Sequence, residues 1–192
     1  MGTAAAKTSL RYADYLAAEA LADVRHEYVG GECFAMAGGT RAHALVQTGF
    51  LVALARHLSG RPCRPAGSDA RVYLPKYGDA VYPDVHVVCG KAERGPEDPD
   101  AVVNPVLVVE VLSPSTERWD RGGKFERYES LPSLQDIVLA EADRRRVEVF
   151  HRNEDGSFTR HVYASGEVVH LAGLGVDLPL DELYALREAD EP

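Results

Sequence analysis

Residues 106–112 read VLVVEVL, and this stretch decides the fold. Every side chain but one is apolar. A strand that is apolar on both faces belongs in the middle of a sheet, covered on either side. The exception is Glu110. A lone buried carboxylate is costly unless it is paired or holds a metal, so Glu110 is either a strand-end residue pointing outward or part of a site. Residues 84–89, DVHVVC, form a second apolar strand. It opens just after Pro83, which cannot donate to a ladder and so marks a strand entrance. Asp84 is then either a cap of that entrance or a second acid. Two carboxylates on neighbouring strands can share a divalent cation, because Mg²⁺ takes oxygen ligands from one or two carboxylates, water and phosphate. A metal held in this way generates hydroxide and stabilises a pentavalent phosphate. Such a site also needs a cation to orient the water and offset developing charge. Lys124, 14 residues after Glu110 on the helix that returns across the strand, is the candidate.

Working outward, Thr8 or Ser9 caps a first helix that runs to about Ala22. Residues 26–36, HEYVGGECFAM, form a hairpin about Gly30-Gly31, a dipeptide that tolerates positive φ. Thr40 to Leu58 is a second helix with Leu45, Val46, Phe50, Leu54 and Leu58 on its buried side. Strands follow at 63–65 and 70–74, then a loop, PKYGDAVY, before the strand at Asp84. GKAERGPEDPDAVVNP (90–105) is polar and reads as a surface connection. Beyond the central strand, a helix spans Asp120–Leu131. Strands lie at 134–140, 146–151, 158–163 and 168–171, and a short helix at 180–186 closes the chain. The pattern is a single α/β or α+β domain over 1–192, with a mixed central sheet flanked by helices and extra strands in the C-terminal half.

The 192 residues carry a formal charge of −9. Residues 177–192 hold one arginine against six carboxylates, and residues 79–110 hold two cations against seven. An acidic balance argues against a protein that coats nucleic acid through lysine and arginine. The acidic middle includes Asp84 and Glu110, however, which a divalent ion would partly neutralise while attracting a phosphate. Arg61, Arg64, Arg71 and the run Arg144–Arg146 are the remaining basic contacts. The expected binding is weak, transient and metal-dependent. No apolar run is long enough to cross a membrane, and the N-terminus has no signal-peptide pattern. The three cysteines, Cys33, Cys63 and Cys89, have no paired metal spacing, so they read as buried thiols in a reducing cytoplasm. No G-x-S-x-G, P-loop, G-x-G-x-x-G or H-E-x-x-H is present.

YPDVHVVC (82–89), followed by VVEVLSPSTERWDRGGKFERYESLPSLQDIVL (108–139), resembles the Uma2 family (DUF820), restriction-endonuclease-like proteins of the PD-(D/E)XK nuclease superfamily. EYVGGE (27–32), the helix opening Arg41-Ala42-His43 and GSDARVYLP (67–75) match as well, and the resemblance covers roughly 8–186. It implies a restriction-endonuclease-like core in which Asp84 and Glu110 bind Mg²⁺ or Mn²⁺, with Glu27 as a further acid able to complete the shell. The superfamily lysine two residues after the second acid is Leu112 here, and Lys124 is its substitute. Supporting roles fall to His43, Asp69, Arg71, Ser113, Asp120 and Tyr128. Asp120 and Tyr128 flank Lys124 at i−4 and i+4, on one helix face. Ser113 and Ser115 either hold a phosphate or cap the helix. The resemblance implies a metal-dependent endonuclease acting on DNA, as a homodimer. Leu112 keeps a second reading open: a catalytically vestigial nuclease fold that binds nucleic acid or protein.

Overall fold

The computed structural model describes residues 9–36 and 38–188. Thr8 and residues 189–192 of the acidic tail lie outside the described residues. Helix α1 spans Tyr12–Glu19 and starts after Arg11, with no side-chain cap. It begins later than Ser9 because the Leu10 N–H is spent on the Gly31 carbonyl of the hairpin, at 2.9 Å. That hairpin joins β1 (His26–Val29) to β2 (Glu32–Ala35). Gly30 and Gly31 turn it at φ +58° and +82°, the sign a two-residue turn needs. Helix α2 (Arg41–His57) is capped by Thr40, whose side chain accepts the His43 N–H.

Strands β3 (Cys63–Gly67), β4 (Val72–Leu74), β5 (Asp79–Val81), β6 (Val85–Cys89) and β7 (Leu107–Leu112) follow. Strand β5 lies in the stretch expected to be a loop. Its three residues are buried and pair with β4, and Ala80 also pairs with Tyr28 of β1, so tertiary pairing makes it a strand where the local pattern is too short to show. Then come α3 (Glu117–Trp119), a π-helical turn (Asp120–Lys124) and α4 (Phe125–Glu129), in place of one regular helix from 120. The C-terminal part is β8 (Asp136–Glu141), β9 (Arg146–Arg152), β10 (Phe158–Ala164), β11 (Val168–Leu171), β12 (Val176–Pro179) and α5 (Leu180–Glu188).

The main sheet runs β10-β9-β8-β7-β6-β3, and a smaller one runs β2-β1-β5-β4. Strand β7 is interior: parallel to β8, antiparallel to β6, which makes the sheet mixed. Its side chains alternate between two layers. Val109 and Val111 pack with Val46, Phe50 and Leu54 of α2 and Leu183 of α5. Val108 packs on the other face with Tyr128, Leu131 and Ile137. This is the helix-flanked mixed sheet that the central strand demanded.

Two expectations are corrected. Residues 90–105 are not merely a surface connection: Asp98, Ala101 and Val102 are buried, and Asp98 holds Arg71. Cys63 and Cys89 are not free thiols. They face each other across β3 and β6 and form a disulfide, while Cys33 is free and exposed rather than buried. Register, which spacing does not reveal, brings the two sulfurs together. Cysteine usage therefore no longer argues for a reducing compartment. Among the described residues no helix is long and apolar enough to cross a membrane.

Candidate active site

Strands β6 and β7 part at Asp84. Their pairing ends at Val85↔Val109, and the Asp84 side chain fills the gap by accepting the Val111 N–H at 2.7 Å. Helix α2 fixes this residue from the other side. Gln47 donates to the Asp84 carbonyl at 2.9 Å, and His43 Nε2 lies 3.3 Å from Asp84 Oδ2. Glu110, on β7, turns toward the layer of α4 and is buried. Its Oε1 accepts the Tyr128 hydroxyl at 2.5 Å and lies 3.1 Å from Lys124 Nζ.

Lys124 reaches this point from the π-helical turn. Its Nζ sits 2.8 Å from Glu27 Oε1 and 3.7 Å from Asp120 Oδ1. The side chain is buried among three carboxylates, and all four groups line a cleft of about 600 Å³ together with Asp84 and His43. Leu112 is packed and buried, so the ammonium arrives from the helix. Glu27 is held on both oxygens: Oε1 also accepts the Tyr82 N–H at 3.2 Å, and Oε2 accepts Trp119 Nε1–H at 3.3 Å.

The electrostatics follow from this crowding. Burial raises the Glu110 carboxyl well above its ordinary range, Lys124 opposes the rise, and the nearby Asp84 and Asp120 add to it. Burial also raises Asp120, against the pull of Lys124. Burial works against the charge on Lys124, but Glu110, Glu27 and Asp120 outweigh it and hold its pKa above that of an ordinary lysine. Hydrogen bonding to Asp84 raises His43. The centre thus holds a permanent ammonium and more carboxylates than one cation can neutralise.

The remaining expected residues divide. Tyr128 and Asp120 touch the cluster. Ser113 lines the cleft, but its hydroxyl bonds to Ser115 and Thr116 at 3.0 and 2.9 Å, as a turn cap does. Arg71 stands one layer behind. It binds Asp98 through two nitrogens and donates to the Tyr82 hydroxyl at 2.9 Å, so it is a buried brace, not a surface ion pair. Asp69 is brought to neither place: its side chain is 90% exposed and meets Arg25 at 3.5 Å. None of Arg61, Arg64, Arg71 and Arg144–Arg146 lines the cleft. Arg61 binds the Leu174 carbonyl, and Arg144 and Arg145 bind Glu141 and Asp181. Reading the sequence missed Gln47, Tyr82 and Trp119. Gln47 carried a signal, since it lies one helical turn from His43; the other two carried none.

Among the described residues no group of three or more His, Cys, Asp and Glu side chains is arranged to hold a metal ion. Asp84 and Glu110 remain as a pair of hard oxygen donors. Such a pair suits Mg²⁺ or Mn²⁺, which leave further positions to water and phosphate, and the repulsion of Glu110 by Asp84 is what a cation held by the pair would relieve. Glu27 serves Lys124, Tyr82 and Trp119 instead.

A mixed central sheet flanked by helices, with a cleft where two of its strands part, defines a mixed α+β protein. Residues 12–181 match the family model Uma2, described as "Putative restriction endonuclease", and the chain belongs to that family. Two proteins of Synechocystis sp. (strain ATCC 27184 / PCC 6803 / Kazusa) are similar. The uncharacterized protein slr1290 is 33% identical over 89% of each chain. The uncharacterized protein sll1609 is 30% identical over 76% of this chain and 82% of its own. A solved structure described as "a putative nuclease belonging to DUF820" from Anabaena variabilis ATCC 29413 superposes with a TM-score of 0.69. It covers 86% of this chain and 92% of that one at 15% identity, and so speaks for the fold.

Proposed function

We propose that this protein is a metal-dependent endonuclease that hydrolyses phosphodiester bonds of DNA, with Asp84, Glu110 and Lys124 as its catalytic residues. The observation that carries the reading is the meeting of these three groups in one recess where β6 and β7 diverge. Asp84 and Glu110 would hold Mg²⁺ or Mn²⁺. A cation bound there supplies Lewis acidity toward a phosphate oxygen and toward water. Lys124 stays an ammonium, so it does not act as a proton acceptor. Its role is to orient the attacking water and offset charge on the phosphate. The Val111 N–H and His43 fix Asp84, and Tyr128 fixes Glu110. Glu27 and Asp120 hold Lys124 in place. A homodimer is part of this reading; the exposed edge strand β10 supports it, and sedimentation would test it.

The test is cleavage of single- and double-stranded DNA with Mn²⁺, beside calorimetric titration of the ion. Asp84→Ala is expected to lose metal binding, and Lys124→Ala to lose at least about 100-fold in rate with metal binding retained. A wild-type protein that neither cuts nor binds the ion would sink the proposal in favour of a vestigial binding module. A fully active Lys124→Ala would remove the lysine from the mechanism.

A further inference from the structure

The cleft has two different ends. Its floor is the acid–lysine cluster, every member of which is buried. Its wall is apolar, built from Val29, Phe34, Met36, Pro114 and Trp119. Phe34 is 50% exposed, an unusual position for a large apolar side chain beside a polar centre. The hairpin register explains where it points. Glu27 and Phe34 are direct cross-strand partners, so their side chains leave the same face of the ribbon, and that face lines the cleft. Trp119 is pinned on the helix side. Its indole donates to Glu27, packs against Gly123, where a Cβ would come within 1.8 Å of the ring, and has the Arg127 guanidinium 5.1 Å from its centre.

The charge around this wall is as informative as its rings. Lys124 is the one lysine or arginine lining the cleft among the described residues, and three carboxylates already surround it. A duplex presents a phosphate about every 1.7 Å of its axis and is held through several free cations. A single strand is held differently: its bases stack on aromatic side chains, each worth roughly 1–3 kcal/mol. A recessed reaction centre behind an aromatic wall that lacks free guanidinium groups suits the second mode.

We propose that the cleft takes an unpaired nucleotide of a single strand, its base against Phe34 and Trp119 and its phosphate toward the divalent cation that Asp84 and Glu110 would hold. This rests on the nuclease reading for the phosphate end only. The base-stacking wall stands without catalysis, and the preferred substrate is single-stranded nucleic acid or a frayed segment of a duplex.

The chain has one tryptophan, so its fluorescence reports from inside the site. The experiment titrates the full chain in EDTA, where no cutting occurs, with single-stranded DNA and RNA oligonucleotides of about 10 residues and with the blunt duplex of the same sequence. Single strands are expected to quench Trp119 at concentrations at which the duplex does not. Phe34→Ala is expected to weaken single-strand binding by roughly 5- to 150-fold, with its circular dichroism and melting temperature unchanged. Equal quenching by duplex and single strand overturns the inference, as does unchanged affinity in Phe34→Ala. Neither result touches the nuclease reading, which cleavage in Mn²⁺ decides separately. If a protein inactive in Mn²⁺ still shows single-strand quenching, the wall stands and the nuclease reading falls.

Discussion

Tyr128 shows how a single hydroxyl serves this site. It is fully buried and donates to Glu110, an acceptor that water reaches poorly. Removing the donor leaves a buried carboxylate short of a partner, at about 1–3 kcal/mol. Tyr128→Phe should lower the urea midpoint by a corresponding amount, and chemical denaturation measures it. His86 is the opposite case. It lies on β6, 2% exposed, and its Nδ1 has no partner among the described residues. Burial pushes its pKa down from 6.5 to about 4. The neutral ring is therefore favoured in the folded chain. The stability this confers is complete above the unfolded pKa of 6.5 and is lost as pH falls toward 4. At pH 5 the loss is about 2 kcal/mol relative to neutral pH. His86→Leu should flatten that part of the pH profile, which urea unfolding at pH 7 and pH 5 reads directly. The carboxyls raised by burial act with the opposite sign, so the difference between the two proteins, not the wild-type curve alone, isolates His86. At this scale the sequence singled out Glu110 as a candidate because a charge inside VLVVEVL violates a strong rule. It also nominated Lys124 on spacing. It did not separate Asp69 from Arg71, since nothing local distinguishes an exposed carboxylate from a buried guanidinium a strand away.

The decisive element is the helical segment after β7. A regular helix places residues four apart on one face. Here the turn at Asp120–Lys124 is widened to a π-helix, a form that recurs at functional sites, and both of its terminal residues are buried at the lysine cluster. Gly123 completes the turn by leaving room for Trp119. Gly123→Ala would drive a Cβ into the indole, a rigid ring with no flexible end to yield. The expected outcome is a displaced Trp119, seen as a shifted emission maximum, with a lower melting temperature. Sequence pattern set the helix start three residues late and showed no π-turn, because apolar periodicity does not resolve one extra residue in a turn. It missed β5 and β12 for a related reason: strands of three or four residues carry almost no alternation, and it is their partners that make them strands.

For the whole molecule, the disulfide ties the edge strand β3 to β6, at the far end of β6 from Asp84. It closes a loop of 26 residues in sequence separation, which by chain entropy stabilises the fold by about 3–4 kcal/mol. Reduction should lower the melting temperature measured by calorimetry, and the Cys63→Ala/Cys89→Ala protein should match the reduced wild type. Two cores, one on each face of the main sheet, give Asp84 and Glu110 rigid supports. The sequence by itself determined the central strand, the flanking helices and the family, and it singled out Asp84 and Glu110 as candidates, because burial pattern and motif order are properties of the chain taken in sequence. Only the tertiary structure decided that Asp84 fills the gap beside Val111, that Lys124 lies among three carboxylates, that Cys63 meets Cys89 and that Phe34 shares a face with Glu27. Each of these depends on the register and packing of segments far apart in the chain, and spacing along the chain carries no record of either.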